Sequence, residues 1–305
     1  MNSIRFAAID IGSNAVRLLI MSVVPEDPNE LFTKVQMIRV PLRLGQESFI
    51  TGRIDEKKSK QLIRLMKSFK HLMKVYEVTD YRACATSAMR DAKNGKELVK
   101  EIKKETDLKI EIIDGQEEAS IINENHFADN LNKDANYAFV DVGGGSTEIS
   151  LFVNGEIIQS KSYNIGTVRL LNDKVEPEEY DHLFSDLAEL KEQYKIFDII
   201  GSGGNIIKLY ALGQVHKNNK LSLTKLESVY ELLKLHTVDE LITQYNLKPD
   251  RADVITHAAG LYIEVAKRIG ARSFIVPRTG LADGLIHMLY EKWKLKNNFT
   301  ENFIA

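Results

Sequence analysis

AFVDVGGGSTEISL, residues Ala138–Leu151, is the stretch on which the reading of this chain turns. The apolar run Ala138-Phe139-Val140 ends in Asp141, and Gly143, Gly144 and Gly145 follow. After Ser146, Thr147 and Glu148 the apolar pattern resumes at Ile149. The pattern is that of a strand, a tight glycine turn and a second strand. Such a turn directs several backbone N–H groups at one anion. Asp141 and Glu148, on either side of it, then face a spot where a divalent cation fits. A phosphate cradle beside a carboxylate pair is the arrangement of phosphoryl transfer. The three glycines alone read equally well as a plain hairpin. The flanking acids tip the reading toward function.

The start of the chain repeats this stretch. Ala7-Ala8-Ile9-Asp10-Ile11-Gly12 lies on Ala138-Phe139-Val140-Asp141-Val142-Gly143, and the same offset places Leu18 on Ile149 and Ile20 on Leu151. An internal repeat bears on the fold before any single residue does. Two similar halves, each opening strand–turn–strand, predict an α/β protein of twin domains facing each other across a cleft. The 305 residues suit two domains of roughly 150 residues each. The boundary is placed between residues 1–124 and 125–305.

The formal net charge is −2, so bulk charge points to neither nucleic acid nor membrane, and an anionic ligand must be held by a local positive site. No apolar run approaches the roughly 18 residues needed to span a bilayer. Asp10 interrupts the first apolar segment, so no secretory signal is expected. Cys84 is the one cysteine; it lies in an apolar run and reads as a buried core thiol. This composition fits a reducing cytoplasm. The seven histidines do not fall at metal-ligand spacings.

Around the repeat the elements alternate. Strands are expected at Ile4–Ile11, Val16–Val24, Leu31–Val40, Tyr81–Thr86 and Lys109–Ile113, with helices over Asp55–Glu77, Lys96–Glu105 and Ser120–Asn130. The acids Glu117 and Glu118 precede that last helix and, from composition alone, read as complements to its dipole. In the second half, strands Glu156–Tyr163, Phe197–Ile200 and Arg272–Val276 alternate with helices Glu178–Tyr194, Leu223–Leu247, Asp250–Ile269 and Leu281–Trp293. A polar tail, Lys294–Ala305, follows. Ile165–Leu170 brings Arg169 toward the cleft, and Gly201-Ser202-Gly203-Gly204-Asn205 forms an anion-friendly loop between a strand and a helix.

Five segments, DIGSN (Asp10–Asn14), TSAMRDAKN (Thr86–Asn94), GQEEA (Gly115–Ala119), DVGGGSTE (Asp141–Glu148) and GSGGN (Gly201–Asn205), together resemble the exopolyphosphatase / guanosine pentaphosphate phosphohydrolase (Ppx/GppA) family in order and spacing. VRL at Val16–Leu18, RLG at Arg43–Gly45 and RTGLADG at Arg278–Gly284 add weaker agreement. The resemblance implies two actin-like (ribonuclease H-like, ASKHA superfold) domains. It implies that Glu118 positions or deprotonates the attacking water, and that Glu148 and Asp141 place Mg²⁺ or that water, with Asp10 facing them as a further metal ligand. Ser13, Asn14, Arg90 and the turn Gly144-Gly145-Ser146-Thr147 would hold phosphates, with Arg43 a less secure contact. The substrate implied is inorganic polyphosphate or guanosine pentaphosphate, and a homodimer is implied as well. Many members carry an additional C-terminal helical region; a chain ending at Ala305 leads us to expect short polyphosphates or nucleotides. Ala15 stands where many members have serine.

Charge gives an independent reason to expect a cation. Two like unit charges about 4 Å apart repel by roughly 4 kcal/mol at an effective dielectric near 20. Asp10, Glu118, Asp141 and Glu148 around a polyanion would expel it. The same crowding is expected to raise the pKa of Glu118. Three other readings compete: an ATP-using phosphotransferase of the same superfold, a non-catalytic sensor of guanosine polyphosphates, and an actin-like filament former.

Overall fold

The computed structural model describes residues 3–25, 32–124, 131–214, 220–277 and 279–297. The first half opens with β1 (Ile4–Ile11), β2 (Val16–Val23) and β3 (Phe32–Val40). Leu31, expected to begin β3, lies outside the described residues. Helices α1 (Leu44–Thr51) and α2 (Glu56–Val75) follow, then β4 (Asp80–Ala85), α3 (Ser87–Asp91), α4 (Gly95–Thr106), β5 (Glu111–Ile112) and α5 (Gly115–Asn123). Asp55 starts α2 by accepting a hydrogen bond from Lys58 N. Leu62, Ile63, Met66, Phe69 and Met73 form its buried face. Helices α1 and α3 were not expected. Each is short, and α1 buries only Leu44, Gly45 and Ser48, too few positions for a period to show.

The second half runs β6 (Asn136–Val142), β7 (Thr147–Val153), β8 (Glu156–Tyr163), α6 (Thr167–Leu171), α7 (Pro177–Gln193), β9 (Ile196–Ser202), α8 (Gly203–Leu212), β10 (Lys220–Ser222), α9 (Leu223–Lys234), α10 (Val238–Tyr245), α11 (Pro249–Ala252), α12 (Ile255–Ile269), β11 (Ser273–Ile275) and α13 (Leu281–Lys296). The single helix expected over Leu223–Leu247 is two. Thr237 and Glu240 form a reciprocal capping box that begins α10 afresh. The helix expected from Asp250 is likewise split, with Pro249 opening α11 and α12 starting at Ile255. Of the helix expected over Ser120–Asn130, residues 125–130 lie outside the described residues, as does the tail from residue 298 onward. Its described part starts earlier than expected, at Gly115, because Asp114 caps it by accepting from Glu117 N.

The sheet orders repeat as the sequence does. The first sheet is β3-β2-β1-β4-β5, and the second contains β8-β7-β6-β9-β11 with β10 added at one edge. In each, an antiparallel hairpin (β1–β2, β6–β7) is extended by a parallel neighbour (β4 on β1, β9 on β6). Each sheet has its own core.

A third core joins them. Phe6, Leu19 and Cys84 of the first sheet and Tyr137, Phe139 and Ile200 of the second pack with Leu285, Ile286 and Leu289 of α13. The last helix therefore packs on β1, β2, β4 and α5. Residues 281–296, assigned from the sequence to the second domain, are packed against the first. Gly284 permits this: a Cβ there would lie 1.9 Å from Ile121 O. Each large apolar side chain so buried contributes roughly 1.5–3 kcal/mol, which makes this shared core a structural base beneath the cleft. Among the described residues no helix is long and apolar enough to cross a membrane.

Candidate active site

Two hairpin turns form the floor of the cleft. Gly12 N donates to Ala15 O at 3.2 Å in the first, and Gly143 N to Ser146 O at 2.9 Å in the second. Helix α6 grips the second turn, with Thr167 N donating to Gly143 O at 3.0 Å and Val168 N to Gly144 O at 2.7 Å. None of Gly143, Gly144 and Gly145 has a left-handed backbone. Close approach explains two of them. A Cβ on Gly144 would lie 3.0 Å from Ser13 Cβ and 3.2 Å from Asn14 N; one on Gly145 would lie 2.3 Å from Ser87 Oγ and 2.4 Å from Phe49 Cζ. The turns of the two halves touch there. Left-handed glycine appears instead at Gly203 (φ 88), where a Cβ would lie 2.5 Å from Asp141 Oδ1.

Between these turns lies a cavity of about 350 Å³. Of the residues singled out from the sequence, Asp10, Ser13, Asn14, Glu118, Asp141, Gly144, Ser146 and Glu148 line it. The other four do not. Gly145 packs against Phe49 and Ser87. Thr147 is wholly buried and its Oγ1 donates to Ile165 O at 2.5 Å. Arg90 donates from Nη1 to Ile113 O at 2.9 Å, and acts on Glu118 and Glu148 through its charge. Arg43 is ion-paired with Asp253. Arg169, expected near the cleft, donates from Nε to Gly145 O at 2.7 Å, ion-pairs with Asp91 and lies over the Phe49 ring. Arg278 lies outside the described residues.

Four polar atoms of residues lining this cavity are buried with no hydrogen-bond partner in the protein: Asn14 Oδ1, Arg39 Nε, Glu118 Oε2 and Thr167 Oγ1. A buried polar atom left unpaired costs about 1–3 kcal/mol, so these mark where a ligand or ordered water would engage. The rest of Asn14 and Ser13 is committed. Asn14 Nδ2 donates to Asp250 O at 2.8 Å, and Ser13 Oγ meets Ser87 Oγ at 2.8 Å. The first turn of α8 also faces the cavity through Gly203, Gly204 and Asn205, and no side chain caps that helix.

The carboxyls are strongly perturbed. Burial, then Glu148, Asp10 and Asp141, raise Glu118 well above the usual carboxylate range, against a lowering by Arg90. Burial pushes Glu148 up to about 7, with hydrogen bonds from Ser146 and Ser162 opposing it. Burial pushes Asp141 up to about 6, opposed by Arg17 and a hydrogen bond with Ser202. Asp10 is ion-paired with Arg17.

The sequence reading missed the cations of this cavity: Arg17 on β2, Lys34 and Arg39 on β3, and Arg251 on α11. Arg17 had a signal, as a charged residue inside the apolar strand VRLLIMSV. Arg39 and Arg251 had none, because they reach the site only through tertiary packing. Burial and the neighbouring Arg39 and Arg17 lower Arg251 to about 10. Such crowding of like charge is relieved by an anion.

Hard oxygen donors suit Mg²⁺, which is commonly held by one or two carboxylates together with phosphate oxygens. The unpaired Glu118 Oε2, the buried Glu148 and the half-buried Asp141 fit that pattern. A site made by protein alone is not assembled: among the described residues no group of three or more His, Cys, Asp or Glu side chains is gathered to hold a metal.

The model of the Ppx/GppA phosphatase family matches residues 22–292. Among curated proteins, a bifunctional 3-dehydroquinate synthase/phosphatase of Fusobacterium nucleatum is 28% identical over 90% of this chain and 45% of its own length. A guanosine-5'-triphosphate,3'-diphosphate pyrophosphatase of Aeromonas hydrophila is 24% identical over 94% of this chain and 60% of its own. Exopolyphosphatase 1 of Mycobacterium tuberculosis is 27% identical over 55% of this chain and 48% of its own. The chain thus spans about half the length of the curated relatives it matches. The crystal structure of the Aquifex aeolicus Ppx/GppA family member superposes with a TM-score of 0.76 at 26% identity, covering 96% of this chain and 99% of that one.

Proposed function

Because the chain belongs to the Ppx/GppA phosphatase family, with the two actin-like domains of that fold, we propose that it hydrolyses a terminal phosphoanhydride of inorganic polyphosphate or of guanosine pentaphosphate. The observation that carries this is the meeting of Glu118 and Glu148, from different elements, in one cavity whose wall bears Arg17, Lys34, Arg39 and Arg251. The same cavity thus holds carboxyls able to move a proton and cations able to pair with phosphate.

Glu118 is the general base. Its unpaired Oε2 accepts a proton from the attacking water, and burial beside Glu148, Asp10 and Asp141 raises its pKa, which makes it a stronger base than an ordinary carboxylate. Glu148, hydrogen-bonded through Ser146 and Ser162, orients that water. The N–H groups of the second turn and of the first turn of α8 accept the charge that spreads over the equatorial oxygens. The arginines hold the remaining phosphates in line. Asp141, Glu148 and Asp10 would hold a Mg²⁺ ion, which would supply charge neutralisation and polarisation of a phosphoryl oxygen. The one cysteine, the buried free thiol Cys84, supports a reducing cytoplasm as the place of action, and the family resemblance supports a homodimer.

Phosphate release from tripolyphosphate, long polyphosphate, guanosine pentaphosphate and ATP, side by side with Mg²⁺ and with or without an added acceptor, tests the proposal. Release to water from one of the first three is expected. Transfer to the acceptor assigns a phosphotransferase instead, and binding without release assigns a sensor.

A further inference from the structure

Ser162 stands where the two acid-bearing elements meet. It lies opposite Glu148 in the β7–β8 ladder, and its Oγ donates to Glu148 Oε1 at 2.9 Å. On its other side α5 begins, three residues before Glu118, with Gly115. A Cβ on Gly115 would lie 2.3 Å from both Cβ and Oγ of Ser162. The same seryl side chain therefore touches the strand bearing Glu148 and the helix bearing Glu118. Ser162 does not line the catalytic cavity. It lines a separate hollow behind Glu148, with Asp114, Gly115 and Gln116. Ser146, the other hydroxyl bonded to Glu148, lines the cavity itself.

We infer that Ser162 is a positioning residue for this reaction: its hydroxyl fixes the Glu148 carboxylate from behind and, through contact with Gly115, sets the separation of Glu148 from Glu118. The inference rests on the hydrolytic reading above. Water and the terminal phosphorus must fit between these two carboxyls, and geometry of that kind tolerates little error. The far end of α5 is held to the same strands, since Asn123 Nδ2 donates to Ser150 Oγ at 3.3 Å and Ser150 bonds to Ser160. The helix is held at both ends, and only the Ser162 end reaches a catalytic carboxylate.

Ser162→Ala keeps the Cβ that packs on Gly115 and deletes the hydroxyl. Ser162→Cys keeps the volume with a weak donor. For both, kcat for phosphate release is expected to fall about tenfold or more, with KM within about twofold and the thermal midpoint near that of the wild type. A lowered midpoint with unchanged kcat per folded molecule, or wild-type kcat in the cysteine variant, overturns the inference. A crystal structure of Ser162→Ala separates it from the hydrolytic reading. There the Glu148 carboxylate is expected to leave its wild-type orientation; a carboxylate that stays in place removes the positioning role whatever the activity. A wild-type protein that releases no phosphate, beside a displaced carboxylate in the variant, removes the hydrolytic reading and leaves Ser162's hold on Glu148 standing.

Discussion

Arg17 and Glu148 hold the same place in the two halves of the molecule. Arg17 lies opposite Asp10 in the β1–β2 ladder, and Glu148 lies opposite Asp141 in the β6–β7 ladder. The repeated hairpins have thus diverged in charge. In the first, the aspartate is neutralised by an ion pair; in the second, two acids face each other and their pKa values rise. The demand for a cation falls on the second half of the floor, and the first half presents a guanidinium to the cavity.

Arg17→Gln leaves Asp10 buried without a counter-charge. Breaking a buried pair from one side costs about 3 kcal/mol or more, so urea unfolding should show a loss of that order. KM should rise as well, because a cation leaves the phosphate wall. A variant as stable as the wild type would mean that Asp10 is not held by Arg17.

Glu118→Gln keeps the shape of the side chain and removes the proposed base. Phosphate release is expected to fall about 10²-fold or more, the scale of general-base catalysis, with substrate binding retained in calorimetry. The thermal midpoint at pH 8 should rise, because a neutral amide at this buried site avoids the desolvation of a charge. Near-wild-type turnover would remove Glu118 from the chemistry.

Burial lifts Glu118, Glu148 and Asp141 above their ordinary pKa values, Glu148 to about 7 and Asp141 to about 6. In the unfolded chain they return to roughly 4. Between those limits the folded protein binds more protons than the unfolded one, so stability falls as pH rises through the window. A cation that binds the ionised acids opposes this loss. Mg²⁺ is therefore expected to raise the thermal midpoint by several degrees at pH 8 and far less at pH 5. Equal effects at both pH values, or none, would take the cation away from these acids.

The repeat was legible because it is written in local spacing: an aspartate ending an apolar run, then glycine, in both halves. The strand order that follows from it was legible for the same reason. The return of α13 to the first sheet was not, since the apolar face of Leu285, Ile286 and Leu289 does not state which sheet it will meet. The break before α10 was within reach, because Thr237 and Glu240 have capping-box spacing inside a run otherwise periodic enough for one helix. In the site, the acids stood out by motif, whereas Lys34, Arg39 and Arg251 are ordinary charged residues until packing turns them toward the cavity. Thr147 shared a motif with Glu148 and faces the core instead, since adjacent strand residues point to opposite sides.

The glycines of the second turn separate packing from backbone freedom. Gly145→Ala places a Cβ 2.4 Å from Phe49 Cζ and 2.3 Å from Ser87 Oγ, so the contact of the second turn with α1 and α3 must open. A loss of about 1–3 kcal/mol is expected from such overpacking, with reduced activity. Gly260→Ala in α12 is the contrast. Its nearest neighbour would be Tyr230 at 3.6 Å, and a gain of up to about 1 kcal/mol is expected from helix propensity. Denaturant midpoints that move the same way for both would show that the contact with Phe49 and Ser87 does not decide the outcome.

Tyr262 ties the two glycine turns of the second half together. Asp141 and Ser202 are the last paired residues of β6 and β9. The Tyr262 hydroxyl makes the next connection, accepting from Val142 N at 3.2 Å and donating to Ser202 O at 2.8 Å. It takes the place of a ladder rung where the strands part to form the cavity. Tyr262→Phe keeps the edge-to-face packing on Phe274 and deletes both bonds, leaving a buried N–H and C=O unpaired. That costs about 1–3 kcal/mol, readable in the denaturant midpoint. If the hydroxyl also sets the spacing between Asp141 and the first turn of α8, KM for the phosphate substrate rises severalfold at temperatures where the variant is fully folded. A lower midpoint with unchanged KM would confine Tyr262 to the core.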